Sequence, residues 1–328
     1  MISADSDLTI VVVPREKYRR ATDVFRALED LDAPPFRLVW VDEVRAPRPY
    51  RRWIDEQAAR PGVTHLALPY RAGANECRMH GFRVSDTPYV LFLDNDAFLG
   101  PGALRSMLEC IRTTNASFVS PLILDRDGSV HHAGGTTAIV PAADGRHLVE
   151  VLPFQSCPPP AVRADLVGAP TSALEMHCVL IRAESLVAVG GMDTQLLSSL
   201  DCADLGLRLG AVDGSGRFEP AATATYDGSA PAVSDLALFL GRWSRATVEH
   251  DIARFAQSWG IDPHDARLDE HRGFLRTRCM RTVRYVRGAA RRVFGAHAAT
   301  RVEDACDPIF DLFSDARPRA RSLTSGSP

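Results

Sequence analysis

The chain has 328 residues, 45% hydrophobic and 24% charged, with a formal net charge of −3. That length suits one large domain with an appendage, or two domains, and the near-neutral balance gives no global attraction to nucleic acid. The seven cysteines form no C-x-x-C pair and no zinc spacing, so they read as reduced cytosolic thiols. No apolar run approaches the ~20 residues of a membrane span.

The start, MISADSDLTIVVVP, carries acids and too short an apolar run for a signal peptide. Within it LTIVVV (8–13) is a β-branched run expected to be a strand buried on both faces. Of the 38 basic residues only Lys17 is a lysine, which reads as a coding bias toward arginine. YRRATDVFRALEDL (18–31) repeats apolar residues at helical spacing. FRLVWVD (36–42) and VTHLALP (63–69) are further strands with a helix at WIDEQAAR between them. YVLFLD (89–94) is the fourth strand, GALRSMLECIRTT a helix, and SFVSPLIL (117–124) the fifth strand. Strands alternating with helices predict βαβ units and a mostly parallel sheet with helices on both faces.

Ligands of such sheets bind beyond the carboxyl ends of the strands. Asp42 and Asp94 stand at such ends. A lone acid there is most simply a turn former. Asp94 and Asp96, flanking Asn95 straight after a buried strand, repel one another unless a cation or a set of donors offsets them. A hard divalent ion, Mn²⁺ or Mg²⁺, is the natural partner, bridging carboxylates to substrate phosphates.

From residue 125 turn signals at Asp127-Gly128 and Asp144-Gly145 separate short β-like pieces. His131 and His132 point to opposite faces of a hairpin, so a paired metal site is not expected there. MHCVLIRAESLVAVGGMD (176–193) reads as a strand and a short helix ending at Gly190-Gly191. LDCADLGLRLG (200–210) is an amphipathic helix and RFEPAATATY (217–226) a late strand. SDLALFLGRWSRATVEHDIARFAQSWG (234–260) follows one helical pattern. HRGFLRTRCMRTVRYVRGAARRVFGAH (271–297) holds eight arginines and no acid, which leaves the rest of the chain at −11. Its apolar residues Leu275, Cys279, Val283, Val286, Ala290, Val293 and Phe294 fall on one stripe. The favoured expectation is that this stripe packs on the main domain. The alternative is contact with an anionic membrane surface or an acidic partner. Residues 301–328, ending RPRARSLTSGSP, are expected to be a disordered tail.

The ordered set LTIVVVP, VDE, RAGANECRMHG, VLFLDND-x₃-GPGAL, DRDGSVHHAGG, VLIRAESLVAVGGMD and DCADLGLR resembles the family 2 glycosyltransferases of GT-A fold, in the flavour of the bacterial rhamnosyltransferase-like branch, over about residues 8–230. The resemblance implies a GT-A domain over 1–230, with a nucleotide-binding half (8–100) and an acceptor half (101–230). A helical extension (231–300) with the basic helix follows. It implies that Pro14, Asp42, Arg71, Arg78 and Asp94 meet the nucleotide, with Gly81 approaching it closely. It implies that Asp94 and Asp96 hold Mn²⁺ or Mg²⁺, and that Gly191 and Asp193 border the acceptor. His177, on its own reading a structural histidine, has acceptor contact as its alternative.

Two departures from the family pattern matter. Cys202 stands where relatives carry their catalytic Asp, and a thiol is a poor general base and Mg²⁺ ligand. Asp201, with Asp204 second, is therefore the expected base. Tyr226 and Asp227 replace a metal-binding His, and Asp227 is the expected extra oxygen ligand. The implied reaction is inverting transfer of a sugar from a nucleotide diphosphate donor to a hydroxyl of a glycan, lipid-linked or natural-product acceptor. The implied place is the cytoplasm, with membrane association through 271–297 as an open alternative. Rival readings are a non-catalytic nucleotide-sugar binder, kept open by Cys202, a membrane scaffold built on the basic helix, and a nucleotidyltransferase. The last is disfavoured because VVVPREKYRRA offers no glycine to cradle phosphates.

Overall fold

A computed structural model describes residues 2–14, 16–159, 166–212 and 216–316. The apolar run at the start becomes β1 (Leu8–Val13), buried along its whole length. It is followed by α1 (Ala21–Glu29), β2 (Arg37–Asp42), α2 (Arg48–Ala58), β3 (Val63–Ala67), α3 (Ala74–Arg83), β4 (Tyr89–Asp94), the short β5 (Ala97–Leu99) and α4 (Ala103–Thr114). β3, β2, β1 and β4 are adjacent and parallel, with Val11 level with both Val39 and Phe92. This is the expected βαβ half.

Beyond β4 the sheet is mixed rather than mostly parallel. The second half contributes β6 (Phe118–Asp125), β7 (Val130–His132), β8 (Thr136–Ala142), β9 (Gly145–Val151), β10 (Ala169–Thr171), β11 (Cys178–Arg182) and, after α5 (Ala183–Ala188) and α6 (Asp201–Gly210), β12 (Gly216–Tyr226). β11 lies antiparallel between β4 and β6. β12 is parallel to β6 and also carries β5 and β10 antiparallel. A strand inserted in the opposite sense is invisible to periodicity, because both directions bury the same alternate side chains. β8 and β9 form a separate hairpin closed at Asp144-Gly145.

One face of the sheet is covered by α1, α2 and α4 through Val24, Phe25, Ile54, Leu104 and Met107. The other is covered by α3, α5 and α6 through Cys77, Met79, Leu186, Leu205 and Leu209. Each such fully buried side chain contributes about 1.5–3 kcal/mol. α3 lies close to the sheet because residue 81 is glycine: a Cβ there would stand 2.4 Å from Val11 Cγ1. Gly81 therefore serves helix–sheet packing. Gly191, at a φ of 84°, sits where a Cβ would stand 2.7 Å from Met79 Cε.

The C-terminal third differs from its sequence reading in three places. The 234–260 pattern is broken into α7 (Leu236–Trp243) and α8 (Arg245–Trp259) by Ser244, whose hydroxyl caps the second helix at Thr247. The basic stretch is two helices, α9 (Ala266–Met280) and α10 (Arg284–Phe294), joined by a turn of 3-10 helix. Only the α9 part of its stripe, Leu275 and Cys279, is buried; α10 buries none of its residues. Part of the expected disordered tail is α11 (Ala296–Phe310), with a further turn at Asp311–Phe313; residues 317–328 lie outside the described residues. Leu240, Trp243, Val248, Ile252, Phe255, Leu268 and Phe310 form a core of their own that also takes in Leu196, Leu200 and Ala203.

Asp251 of α8 joins this core to the loop before α6. Its buried carboxylate accepts the backbone N–H groups of Leu197, Ser198 and Ser199 at 2.8–2.9 Å. Asp251→Ala leaves three buried donors without an acceptor, and is expected to cost about 2–4 kcal/mol and lower the melting temperature by roughly 4–10 °C. Calorimetry checks this, and an unchanged melt would refute the role.

Candidate active site

Asp94 is the last residue of β4 and Asp96 the second residue of the turn that follows; both are buried, as is Asn95 between them. Their repulsion is resolved by sending the two carboxylates to different partners. Asp94 takes Arg78 of α3 (Nη2 to Oδ1, 3.0 Å) and His177, just before β11 (Nδ1 to Oδ2, 2.8 Å). Asp96 takes Lys17 (Nζ to Oδ2, 2.7 Å). Asn95 donates from Nδ2 to the carbonyls of Glu16 and Lys17, which pins the segment after β1 onto the turn. Burial raises the Asp96 carboxyl, with Lys17 and His177 opposing. Burial works to lower His177, but Glu175 and Asp94 outweigh it and hold the imidazole above its usual range.

Arg78 also reaches Asp201 at the start of α6, Nη1 to Oδ2 at 2.8 Å. The contacts then run on: Cys202 Sγ lies 3.8 Å from Asp201 Oδ1 and 3.6 Å from Glu175 Oε1, and Glu175 lies 3.9 Å from His177 Nε2. Asp94, Arg78, Asp201, Cys202, Glu175 and His177 thus form a closed ring. Burial beside two carboxylates pushes the Cys202 thiol well above its usual range, so it stays protonated and donates. Burial works to raise Glu175, and His177, His131 and His132 bring it below its ordinary value. His177 is stacked on Tyr226, with ring centroids 3.9 Å apart and planes 16° from parallel. Arg278 of α9 donates to the Tyr226 hydroxyl and to Glu16 Oε1, both at 2.9 Å. Burial works to raise Glu16, but Arg278, Arg242 and Lys17 bring it down to about 2.

Several sequence-derived roles fall elsewhere. The atoms of Asp94, Asp96 and His177 that can ligate a metal lie within 4.8 Å of one another. Two carboxylates and an imidazole suit Mn²⁺, which accepts oxygen and nitrogen. The Asp227 carboxylate is not in this group: it meets Arg20 Nε at 2.5 Å and Arg126 at 3.5 Å, and only its backbone carbonyl faces Lys17. The third donor is thus His177, which the sequence reading had placed with the acceptor or the core. Asp204 is held by Arg208 (2.9 Å) and Trp259 (3.0 Å), away from the ring. Asp193 is held by Arg254 at 2.7 Å and accepts from Gln195 N, while Gly191 turns the chain against Met79. Neither is brought to the Asp94–Asp96 turn. Glu175 was missed because no motif marks it. Its one signal is a position two residues before His177, in the loop entering β11.

Of the residues expected to meet a nucleotide, Asp42 ends β2 with Oδ2 on His65 Nε2 at 3.0 Å, and its buried Oδ1 has no hydrogen-bond partner. A donor is what that atom lacks. Pro14 borders a cavity of about 20 Å³ beside Ala72 and Cys77, roofed by Leu238, Arg242 and Asp315. Asp315 is tied to Arg45 at 2.6 Å, and exposed Arg71 reaches only the Phe313 carbonyl, at 3.5 Å. A larger cavity, about 210 Å³, lies between Glu16, the 228–231 loop, Arg278 and the start of α10.

The profile of glycosyl transferase family 2 matches residues 9–172, half of the chain. No curated protein sequence matches it. Solved structures of similar fold include GalNAc-T7 with UDP, GalNAc and Mn²⁺, at 13% identity and a TM-score of 0.54, covering 85% of this chain and 56% of that one. They also include the mannosyltransferase PcManGT from Pyrobaculum calidifontis in complex with GDP-Man and Mn²⁺, at 14% identity and a TM-score of 0.52, covering 95% and 83%. At such identities the likeness is one of fold.

The third histidine of this region, His132, is buried with Nε2 on Ser120 Oγ at 3.0 Å, and burial lowers it to about 4. In the unfolded chain it titrates near 6.5. The stability from keeping it neutral is therefore present above about pH 6.5 and lost as pH falls through about 4. Between those values the wild type is expected to lose up to about 3 kcal/mol more than His132→Asn. Urea unfolding at each pH measures this, and parallel losses would refute it.

Proposed function

The chain belongs to glycosyl transferase family 2, and from that premise we propose that it transfers a sugar from a nucleotide diphosphate donor to an acceptor hydroxyl, by single displacement with inversion. The observation that carries this reading is the buried D-x-D turn at the carboxyl end of β4, whose two acids share a three-donor group with His177. A divalent ion held by Asp94, Asp96 and His177, Mn²⁺ or Mg²⁺, would offset the charge that develops on the leaving diphosphate.

The chain's own residues do the rest. Arg78 fixes the Asp94 rotamer, and the Tyr226 stack fixes the His177 ring. The buried Oδ1 of Asp42 lacks a donor, and a base N–H would supply one. The cavity beside Pro14 holds about one water, so a donor reaching Pro14 requires Leu238, Arg242 and Asp315 to move. Arg71 then becomes free to meet phosphate. The attacking hydroxyl must lose a proton to a carboxylate. Asp201 is committed to Arg78, and Asp204 to Arg208 and Trp259. Glu175, 25% exposed and 3.6 Å from the thiol that stands at the family's Asp position, is the carboxylate with access to an acceptor. We assign the base to Glu175, with the Gly191–Asp193 turn shaping the acceptor side from outside the ring.

Donor hydrolysis and transfer with Mn²⁺ or Mg²⁺ test this, after a thermal-shift panel of UDP-, GDP- and dTDP-sugars selects the donor. Asp96→Ala is expected to abolish turnover. Glu175→Gln is expected to lower kcat by 10²–10⁴-fold with donor affinity unchanged, and adding Cys202→Asp to restore part of it. Loss in Asp201→Asn with Glu175→Gln fully active would return the base to Asp201. Donor binding without turnover by the wild type would favour the passive reading.

The partners we propose include a membrane surface. α10 pairs with α11 through Arg287 and Glu303 and turns its other face outward: Val286, Val293 and Phe294 are 61%, 69% and 77% exposed, with Arg284, Arg291 and Arg292 alongside. The α10 part of the stripe does not pack on the main domain as favoured from sequence, whereas Leu275 and Cys279 of α9 do. An apolar face edged by arginine suits an anionic bilayer, at roughly 1 kcal/mol per arginine. No helix among the described residues is long and apolar enough to cross a membrane; the contact we propose is a peripheral one. The 210 Å³ cavity opens beside Arg281, Arg284 and Tyr285, which favours a lipid-linked acceptor over a free glycan or natural product. Sedimentation with phosphatidylglycerol vesicles is expected to bring down the wild type but not Val286→Glu/Phe294→Glu, with neither bound to phosphatidylcholine. Equal sedimentation of both proteins would sink this assignment.

A further inference from the structure

Thirty-seven of the 38 basic side chains are arginine, and the single lysine, Lys17, is buried at the D-x-D turn. A coding bias explains the arginines but not the exception. Lys17 holds a left-handed backbone, φ 57° and ψ 49°, which a non-glycine residue adopts at a cost. Its carbonyl accepts from Asn95 Nδ2 at 3.1 Å and from Arg20 N at 2.8 Å, so the main chain is anchored on both sides. Its ammonium meets Asp96 Oδ2 at 2.7 Å and the Asp227 carbonyl, and lies 4.8 Å over the Tyr226 ring and 3.8 Å from Glu16. An ammonium is a compact point charge on a flexible four-carbon stem, whereas a guanidinium is a broad planar fork. The site is thus built around a cation of ionic size, on a stem that can swing while its backbone stays fixed.

The charge count around the turn is closed by protein groups: Asp94 with Arg78 and His177, Asp96 with Lys17. A divalent ion that takes Asp96 must share that oxygen with the ammonium or expel it. Resting on the reading of Asp94, Asp96 and His177 as the donor-side cation site, we propose that Lys17 is an internal counter-cation there. A divalent ion loads only by exchange with its ammonium, which then finds its anion in the donor's diphosphate. Metal and nucleotide are therefore coupled through one side chain.

The test is Mn²⁺ binding, followed by loss of the free-ion paramagnetic resonance signal, with no sugar transfer involved. Lys17→Gln is expected to bind Mn²⁺ alone at least tenfold more tightly than wild type, about 1.4 kcal/mol. Lys17→Arg keeps the charge on a broader head group and is expected to bind Mn²⁺ alone less tightly than Lys17→Gln; equal tightening in both would overturn the charge exchange. UDP or GDP is expected to tighten Mn²⁺ binding more in wild type than in Lys17→Gln. Mn²⁺ is likewise expected to raise the melting temperature of Lys17→Gln more than that of wild type, which reads the same exchange if the variant is less stable. Unchanged or weaker Mn²⁺ binding by Lys17→Gln would overturn the proposal. Asp96→Asn separates this from the premise: if it binds Mn²⁺ as wild type does, the cation site itself is misplaced, and the Lys17 inference falls with it.

Discussion

The structure is organised around neutralising carboxylates that the chain buries together at the end of one sheet. Asp94, Asp96, Asp201 and Glu16 are all buried. An unpaired charge in such a place costs several kcal/mol, so each acid must recruit a cation from elsewhere in the chain. Arg78 comes from α3, Lys17 from the segment after β1, His177 from the loop before β11 and Arg278 from α9. Each pairing ties a different element to the same few cubic ångströms. The acids therefore act as the joint of the fold as well as its chemistry.

That joint changes the meaning of the C-terminal helices. Read as sequence they look like an extension with a solvated basic face. In the fold, α7 and α9 send Trp243, Arg242 and Arg278 to Glu16, the residue next to Lys17. α8 sends Asp251 to the loop that starts α6. The segment after α11 covers the cavity beside Pro14 through Asp315 and Arg45. The helical part thus borders the site on two sides. α10 alone stays outside, with its apolar stripe unburied.

The ring through Arg78 satisfies residue 202 with a thiol where the resemblance leads one to expect an acid. Cys202 is a neutral donor between Asp201 and Glu175. A carboxylate added there would stand against two others, so the thiol relieves a repulsion. The acid with open access sits one element away, in the loop entering β11.

The parallel half of the sheet, the amphipathic helices, the Asp94–Asn95–Asp96 turn and the glycine turn before Asp193 were all legible in the sequence. They are set by local patterns: side-chain alternation, helical spacing, and turn residues at strand ends. Four things were not legible: the reversed insertion of β11, the break at Ser244, the replacement of Asp227 by His177 in the donor group, and the placing of Glu175 beside Cys202. The break rests on a local cap, Ser244 on Thr247; the other three depend on contacts between residues far apart in the chain. Lys17 and Asp96 are 79 positions apart, Asp94 and His177 83, and Arg78 and Asp201 123. The sequence by itself determined which acids would need a cation. Only the tertiary structure decided which cations they got, because a buried charge chooses its partner by distance in space, which local periodicity does not encode.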